Sequence, residues 1–266
     1  IMENEKRLEG AREFCLQRAD TYRLFASVFD KEIKAETAVS IEKLGSLTGA
    51  DAASKGERMV ADGFAGMAKE LARFDVDTET ELAVDYARVF LNAGKAEGQA
   101  AIPYESVYTS EEHLLMQDAR DDVRRLYRAA GVMPERQMGE IPDDYVVFEL
   151  EFMALLNERV VEALEQANRS EARALAIEAY DFLQNHLKNW STEFTQDIFE
   201  CAQTKFYQYL AKAYRGFISC ERQDTRALVD YLTEEGDEAL EDVAADDVQP
   251  AAVAAPDDAR PVAAEA

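Results

Sequence analysis

Residues 140–156 read EIPDDYVVFELEFMALL and predict a long helix at the centre of the fold. Pro142 suits a first helical turn, because its missing N–H needs no partner there, and Asp143 and Asp144 place negative charge at the positive end of the helix dipole. An apolar stripe and a second apolar flank follow: Val146, Leu150, Met153, Val160 and Leu164, then Tyr145, Phe148, Phe152, Leu155 and Leu156. We therefore expect a helix that begins at Pro142 and packs on more than one side. The acids, the proline and the tyrosine at its start serve either as caps or as the frame of a binding site.

Helical periodicity continues on both sides of this segment. The six prolines lie at positions 103, 134, 142, 250, 256 and 261, so residues 1–102 and 143–249 lack the strongest helix breaker. Near the N-terminus, apolar residues recur every seven positions, as in a helix-packing seam: Leu8, Cys15, Tyr22 and Phe29. The sequence shows no alternating strand of useful length and no internal repeat. It predicts an all-α fold, a single helical bundle domain of about eight to ten helices over residues 1–233.

Two loops interrupt the helices. Residues 93–108 contain Gly94, Gly98 and Pro103 and show no periodicity, so they predict a long loop. Long loops in compact domains are often functional. A second loop, residues 132–142, leads into the central helix.

Capping side chains predict where further helices begin and end. Thr78 and the glutamate three residues later have the spacing of a capping box. Thr109 has a glutamate at the same spacing and predicts a short helix through Met116, and Ser170 can cap a later helix. Gly131 can end the helix before the second loop in the left-handed conformation.

The net charge of −25 opposes nucleic acid and anionic membranes as partners and favours a basic partner. Residues 234–266 carry 11 acidic residues and one basic residue, a net of −10, which leaves −15 on the rest of the chain. The Ala, Asp and Pro content of this segment predicts a disordered acidic tail, whose simplest role is to increase solubility.

The sequence gives no sign of membrane insertion or of secretion. No apolar run approaches the roughly 20 residues that span a bilayer, and the N-terminal residues lack the apolar core of a signal peptide. We therefore expect a cytoplasmic protein. Cys15, Cys201 and Cys220 are an odd number without a close pair, which predicts reduced thiols of the core rather than disulfides or a zinc site.

Metal and enzyme sites are not expected. The only histidines are His113 and His186, and the residues three positions before them are Ser110 and Leu183, so the two Glu-x-x-His pairs of a di-metal bundle are absent. His186 is predicted to be a packed or surface residue rather than a base. The sequence contains no phosphate-binding loop, dinucleotide fingerprint or nucleophile elbow. We predict a protein that is not an enzyme and that has no metal and no cofactor.

Three segments together resemble a known family. They are residues 85–90, DYARVF; residues 103–108, PYESVY; and residues 140–145, EIPDDY. In this order they resemble the TorD/DmsD/NarJ family of redox-enzyme maturation chaperones, over roughly residues 10–220. The aromatic-x-x-Leu-Phe motif of the family is matched by Tyr86, Val89 and Phe90, with Val in place of Leu. The Glu-x-Pro-x-Asp-His motif is matched by Glu140, Pro142 and Asp144, with Tyr145 in place of the final His.

The resemblance implies a cytoplasmic, all-helical chaperone. Such a protein binds the twin-arginine signal peptide of a molybdenum-containing oxidoreductase, or its apo form, assists cofactor insertion and withholds export until maturation is complete. A signal peptide has a basic start and an apolar middle, so its receptor needs acids beside an apolar groove. The resemblance and this chemistry together predict a peptide-binding site made of ten residues: Tyr86, Val89, Phe90, Pro103, Tyr104, Glu105, Glu140, Pro142, Asp144 and Tyr145.

Within this predicted site, Asp144, with Glu140 and Glu105, is expected to attract the arginines. The residues expected to contact the apolar part of the peptide are Tyr86, Val89, Phe90, Tyr104 and Tyr145. Core packing is the alternative role for Val89 and Phe90. Helix capping is the alternative role for Asp144.

Other interpretations of the sequence stay open. The chain can be a helical adaptor without a groove, or an enzyme with a compact set of titratable groups that motifs do not reveal. It can also be a family member that acts on the mature part of the client enzyme without binding its signal peptide. The sequence leaves open the identity of the client and the choice between a monomer and an exchangeable dimer.

Overall fold

The computed structural model describes residues 2–47, 52, 54–93, 100–134 and 141–246. Over these residues the chain forms ten α-helices and no β-strand, which confirms the predicted all-α fold. The helices are α1 (Met2–Asp30), α2 (Ala35–Leu47), α3 (Lys55–Leu71), α4 (Val76–Phe90), α5 (Glu105–Thr109), α6 (Asp118–Ala129), α7 (Val146–Glu165), α8 (Arg169–Phe182), α9 (Lys188–Cys201) and α10 (Lys205–Asp246). A π-helical turn, Leu183–Leu187, joins α8 directly to α9.

Helix α7 lies at the centre of the bundle, as its sequence predicts. Val146, Leu150 and Met153 are each 0% exposed, and Phe152 on the neighbouring flank is 3% exposed. Helix α1 packs along one side of α7 and α8 along another. Burial on both sides accounts for the wide apolar arc, because a helix with a single buried face needs only one stripe.

Helices α3 and α10 approach each other closely. A Cβ added to Gly63 would lie 2.6 Å from the Ala213 Cβ and 2.6 Å from its backbone nitrogen. The glycine in α3 therefore allows the two backbones to touch, which explains a residue that otherwise weakens a helix interior.

The start of α7 differs from its prediction. The helix begins at Val146 and not at Pro142, and its N-cap residue Tyr145 makes no side-chain capping bond. The prediction was wrong because the backbone around Asp144 pairs with a distant segment instead of entering the helix.

Other helix boundaries were also predicted incorrectly. Helix α4 is capped by Asp75, whose carboxylate accepts the Thr78 N–H at 3.0 Å, so Thr78 lies inside the helix that it was predicted to open. Asn168, not Ser170, caps α8. Helix α5 ends at Thr109, where a helix was predicted to begin, and the segment up to α6 is irregular.

The C-terminal ends of α6 and α10 were also predicted from the sequence. Gly131 has a φ of 73° just after α6, which confirms the predicted left-handed helix end. Helix α10 continues to Asp246, past position 234, where the acidic tail was expected to start. Residues 247–266 lie outside the described residues, so the disordered tail stays a prediction for them.

The described part of the chain contains all three cysteines. Cys15, Cys201 and Cys220 are free thiols. Cys15 is buried, and its burial raises the pKa of the thiol to about 12.

No helix in the described part of the chain is both long and apolar enough to cross a membrane.

Candidate functional site

The two loops that carry the second and third motif segments meet in a short antiparallel pairing. The Glu105 N–H donates to the Asp144 carbonyl at 3.0 Å, and the N–H of the first residue of α7 donates to the Pro103 carbonyl at 2.9 Å. A β-bridge joins Tyr104 to Tyr145, whose ring centroids are 5.2 Å apart. The pairing therefore ties α5 to the start of α7.

Asp144 caps α5 rather than α7. Its side chain is 0% exposed, and its Oδ2 accepts the N–H of Ser106, in the first turn of α5, at 2.8 Å. Burial raises the pKa of Asp144, and the hydrogen bonds from Ser106 offset part of this effect. Helix capping is the alternative role that the sequence left open for Asp144. The helix that Asp144 caps is α5, about 40 positions upstream in the chain, and not α7.

The aromatic residues of the first motif lie in the core. Tyr86 is 5% exposed, Phe90 is 3% exposed and Val89 is 0% exposed. The hydroxyl groups of Tyr86 and Tyr145 both donate to the Phe29 carbonyl, at 2.9 Å and 3.1 Å. This carbonyl belongs to the last turn of α1, where helix carbonyls lack an intrahelical partner. Tyr145 therefore has a structural role that needs no imidazole.

Glu105 is held by a buried polar network. It is 2% exposed, it accepts a hydrogen bond from Asn189 Nδ2 at 3.1 Å, and its Oε2 lies 2.9 Å from His186 Nδ1. Glu149 is 0% exposed and accepts the indole N–H of Trp190 at 3.3 Å. Burial, and then the negative charge of Glu105, raises the pKa of Glu149 well above its ordinary value.

His186 belongs to the π-helical turn between α8 and α9 and is 7% exposed, so it is packed, which is one of the two positions predicted for it. Turns of this type break the regular register of a helix and are frequent at functional sites. Here the turn places the imidazole against Glu105 and so holds α5 against the α8–α9 rod.

A surface pocket opens beside this network. We call it the α9 pocket; it has a volume of about 520 Å³ and is lined by Asn92, Ala100, Ile102, Val107, Tyr108, His113, Glu193, Gln196 and Asp197. The Tyr108 hydroxyl donates to Asp197 Oδ2 at 3.0 Å. Burial raises the pKa of Asp197, and the hydrogen bond from Tyr108 offsets part of this effect. Two carboxylates next to the Tyr108 ring suit a cation that is flanked by apolar groups.

An exposed apolar run lies next to the α9 pocket, in the loop between α5 and α6. Leu114, Leu115 and Met116 are 53%, 43% and 52% exposed. His113, which lines the pocket, precedes them, and His113 and Met116 have φ values of 53° and 65°. Residues other than glycine seldom adopt this left-handed conformation. The loop therefore presents three consecutive apolar side chains to solvent beside a carboxylate-bearing pocket.

The structure gathers the predicted site residues but turns most of them inward. Of the nine that it describes, Tyr104 and Pro142 are half-buried. The other seven are buried: Tyr86, Val89, Phe90, Pro103, Glu105, Asp144 and Tyr145. Glu140 lies outside the described residues. None of the nine lines the α9 pocket, so the contact of these residues with a peptide stays a prediction, while their observed contacts are internal.

Sequence reasoning missed the residues of the α9 pocket itself. Tyr108 ends the second motif segment, but its hydroxyl partner Asp197 is 89 positions away and no local pattern joins them. Glu193 and Asp197 are four residues apart, the spacing that places two side chains on the same face of a helix. That spacing was visible, but acidic pairs are common on solvated helices and do not indicate a pocket.

Among the side chains that the structure describes, no group of three or more His, Cys, Asp or Glu residues is arranged to hold a metal ion. The candidate site brings together two carboxylates, the Tyr108 ring and an exposed apolar loop.

Comparison with known proteins identifies the family. The family described as nitrate reductase delta subunit matches residues 56–196, which is more than half of the chain. The chaperone protein TorD of Vibrio parahaemolyticus is 27% identical over 208 residues, which cover 77% of this chain and 93% of that protein. The TorD of Vibrio cholerae strain O395 is 31% identical over 159 residues, which cover 59% of this chain and 67% of that protein.

A solved structure of a redox enzyme maturation protein from Archaeoglobus fulgidus is 19% identical, with a TM-score of 0.48. It covers 76% of this chain and 93% of that one. The family match and the TorD relatives agree with the three motif segments found in the sequence. The chain therefore belongs to the TorD/DmsD/NarJ family of redox-enzyme maturation chaperones, and it is a chaperone rather than an enzyme.

Proposed function

We propose that this chaperone binds, in the cytoplasm, the twin-arginine signal peptide of a molybdenum-containing oxidoreductase, and that the α9 pocket receives the arginines. Binding would withhold the apo-enzyme from export until its cofactor is inserted. The observation that carries the proposal is the position of Glu193 and Asp197 beside the Tyr108 ring and an exposed apolar loop. The same elements that a basic and apolar leader requires lie next to one another.

The chemistry of the pocket matches a guanidinium group. Arginine forms paired hydrogen bonds with a carboxylate and stacks its flat face on aromatic rings. Asp197 supplies a carboxylate whose position is fixed by Tyr108, and Glu193 supplies a second one that is exposed. A volume of about 520 Å³ lies within the usual range of ligand sites, roughly 300 to 1,000 Å³.

The exposed run 114–116 suits the apolar middle of the peptide. Each of these three side chains exposes about half of its surface, 43% to 53%. Binding a partner that covers them lowers the free energy, because apolar area leaves water. In the proposal the arginines enter the α9 pocket and the apolar residues that follow lie across this run.

The nine predicted residues that the structure describes then support the site instead of forming its surface. Asp144 fixes the first turn of α5, and Glu105 holds α5 against α9 through His186 and Asn189. Helix α5 carries Val107 and Tyr108, which line the pocket. We propose that the motif residues set the position of this wall.

Isothermal titration with a synthetic leader tests the proposal. The peptide carries an Arg-Arg pair followed by about ten apolar residues, and the control peptide carries Gln-Gln in place of the arginines. The double variant Glu193→Gln and Asp197→Asn removes both charges and keeps the shape of the pocket. The matched control is Glu162→Gln with Asp181→Asn, which removes one Glu and one Asp from exposed positions on α7 and α8.

We expect the pocket variant to bind the arginine peptide about tenfold more weakly. The half-buried Asp197 contributes most of this loss, because a hydrogen bond to a charged group is worth about 1.5 to 3 kcal/mol, and the exposed Glu193 contributes less. The control variant should bind like the wild type. Wild-type affinity in the pocket variant would contradict the proposal.

The alternative proposal, action on the mature enzyme alone, has a separate test. A client that lacks its first 40 or so residues, which contain the leader, should be captured less well than the complete client. Equal capture would favour the alternative.

A further inference from the structure

A second groove lies on the neighbouring face of α9, between α9, α10 and α3. We call it the α9–α10 groove; it has a volume of about 420 Å³, and Gln196 lines both it and the α9 pocket. Along α9, Glu193 and Asp197 face the pocket, whereas Thr195 and Phe199 face the groove. The two sites are therefore adjacent stripes of a single helix.

The charge of this groove is opposite to that of the chain. Lys205, Lys212 and Arg215 line it, and no Asp or Glu is among its lining residues. Positions 205, 212 and 215 are seven and three residues apart, so the three side chains share one face of α10. Lys212 is partly neutralised, because its Nζ lies 2.7 Å from Asp62 Oδ2. In a protein with 54 acidic and 29 basic residues, a face of three cations is a local reversal of charge.

The position of Lys205 adds to this observation. It is the first residue of α10, where the positive end of the helix dipole disfavours a cation, and the first turn of α10 contains no acid that would compensate. Its side chain is exposed. A residue that opposes the local electrostatic preference is expected where function requires it.

The groove also contains aromatic surface. Phe199 is 52% exposed, which is unusual for the largest apolar side chains, and Tyr209 lies half-buried beside it. A partner that covers Phe199 removes apolar area from water while its charged groups approach the cations.

We propose that the α9–α10 groove is a second docking site, for an acidic segment of the partner polypeptide that also carries an aromatic or aliphatic side chain. Carboxylates of the segment pair with Lys205 and Arg215, and the apolar side chain covers Phe199. Charge complementarity selects this occupant, because the cations of the groove attract an acidic segment that the net charge of −25 on the whole chain repels. The inference goes beyond the proposed function, since it concerns a different face, the opposite charge and a segment other than the leader.

The two sites have opposite charge and lie on either side of α9, which has a consequence for a client that carries both segments. Once one segment is bound, the other is held near its own site, and the combined affinity exceeds that of either segment alone. The leader and an acidic segment of the same apo-enzyme would then be retained together.

Fluorescence anisotropy with labelled peptides tests the second site. The probe is a peptide of alternating Glu and Phe or Leu, and the control probe of equal length has Lys at each Glu position. The variant Lys205→Glu with Arg215→Glu reverses the charge of the groove, and a milder variant, Lys205→Gln with Arg215→Gln, guards against loss of folding. Arg128→Glu with Arg173→Glu is the matched control, because both arginines are exposed and neither lines the groove.

The wild type should bind the acidic probe, and both groove variants should weaken this binding by about tenfold or more. The matched control should change it by less than about twofold, as expected for exposed charges. Phe199→Ser should also weaken it. The α9 pocket variant Glu193→Gln with Asp197→Asn removes two negative charges next to the groove and should not weaken binding of the acidic probe, so failure of the groove and failure of the pocket are separable.

The proposal is overturned if the wild type does not bind the acidic probe, or if the matched control weakens binding as much as the groove variants do. Sedimentation of the wild type distinguishes another occupant. A concentration-dependent dimer that Lys205→Glu with Arg215→Glu abolishes would assign the groove to a second copy of the chain and would also overturn the proposal.

Discussion

Two substitutions separate the charge of Asp144 from its hydrogen bond. Asp144→Asn removes the charge and keeps an oxygen that can accept the Ser106 N–H, now 2.8 Å from Oδ2. Asp144→Ala removes both. If the residue acts as an interior cap of α5, the protein should tolerate Asn and lose stability with Ala. If its charge attracts arginines directly, as the motif suggested, Asn should already abolish the contact.

The structure sets the size of these effects. Loss of a capping acceptor costs about 0.5 to 2 kcal/mol, and a buried N–H left without a partner costs about 1 to 3 kcal/mol. Both figures describe the same lost bond, so we expect Asp144→Ala to lower the free energy of unfolding by about 2 kcal/mol. Burial already raises the pKa of Asp144 and so favours its neutral form. We therefore expect the neutral Asp144→Asn variant to stay within about 1 kcal/mol of the wild type.

Urea unfolding followed by circular dichroism measures these differences, and titration with the arginine peptide measures binding in the same preparations. Asp144→Asn should bind the peptide like the wild type, because its effect on the wall of the α9 pocket is small. An Asp144→Asn variant with wild-type unfolding but tenfold weaker binding would contradict the capping role, since the charge itself would then contact the peptide.

Three further predictions concern the support of the site. Gly63→Ala should destabilise the protein by about 1 to 3 kcal/mol in urea unfolding, because its Cβ would overlap α10 at 2.6 Å; unchanged unfolding would show that the helices can separate without cost. Burial raises the pKa of Glu149 in the folded protein. The contribution of Glu149 to stability is therefore present below its ordinary pKa of about 4.5 and is lost as the pH rises through its pKa in the folded protein. Glu149→Gln should therefore flatten the decline of the melting temperature from acidic to alkaline pH, and an identical decline in both proteins would contradict this assignment. Tyr86→Phe and Tyr145→Phe should each cost about 0.5 to 1.5 kcal/mol, and the double variant should cost more than their sum because the Phe29 carbonyl then loses both donors; strict additivity in thermal unfolding would argue against a shared acceptor.

The helical fold could be predicted because its signal is local. The apolar arc of α7 repeats within one segment, and its burial on two sides follows from the width of that arc. Helix ends were harder to predict, because the sequence position of a capping side chain does not show which helix it caps in the folded protein. Asp144 resembles the start of α7 in the sequence, but the β-bridge between Tyr104 and Tyr145 directs its carboxylate to α5.

The site was only partly predictable for a similar reason. The motif segments indicated the family and the region, because they are continuous in sequence. They do not show which side chains reach the surface, and burial of Tyr86 and Glu105 depends on contacts with α1 and α9. The carboxylates of the α9 pocket lie more than 80 positions from Tyr108, so only the folded chain brings them together.

Photo-crosslinking from Gln196 shows whether the arginines of the leader lie against α9. This exposed residue lines the α9 pocket, and a benzophenone amino acid placed there reports which part of a client lies against α9. The same amino acid at Ile177, 37% exposed on α8, serves as the control. If the α9 pocket receives the arginines, mass spectrometry of the complex should find crosslinks from position 196 to the arginine region of the leader and none from position 177. Leader crosslinks at position 177 with none at position 196 would contradict it.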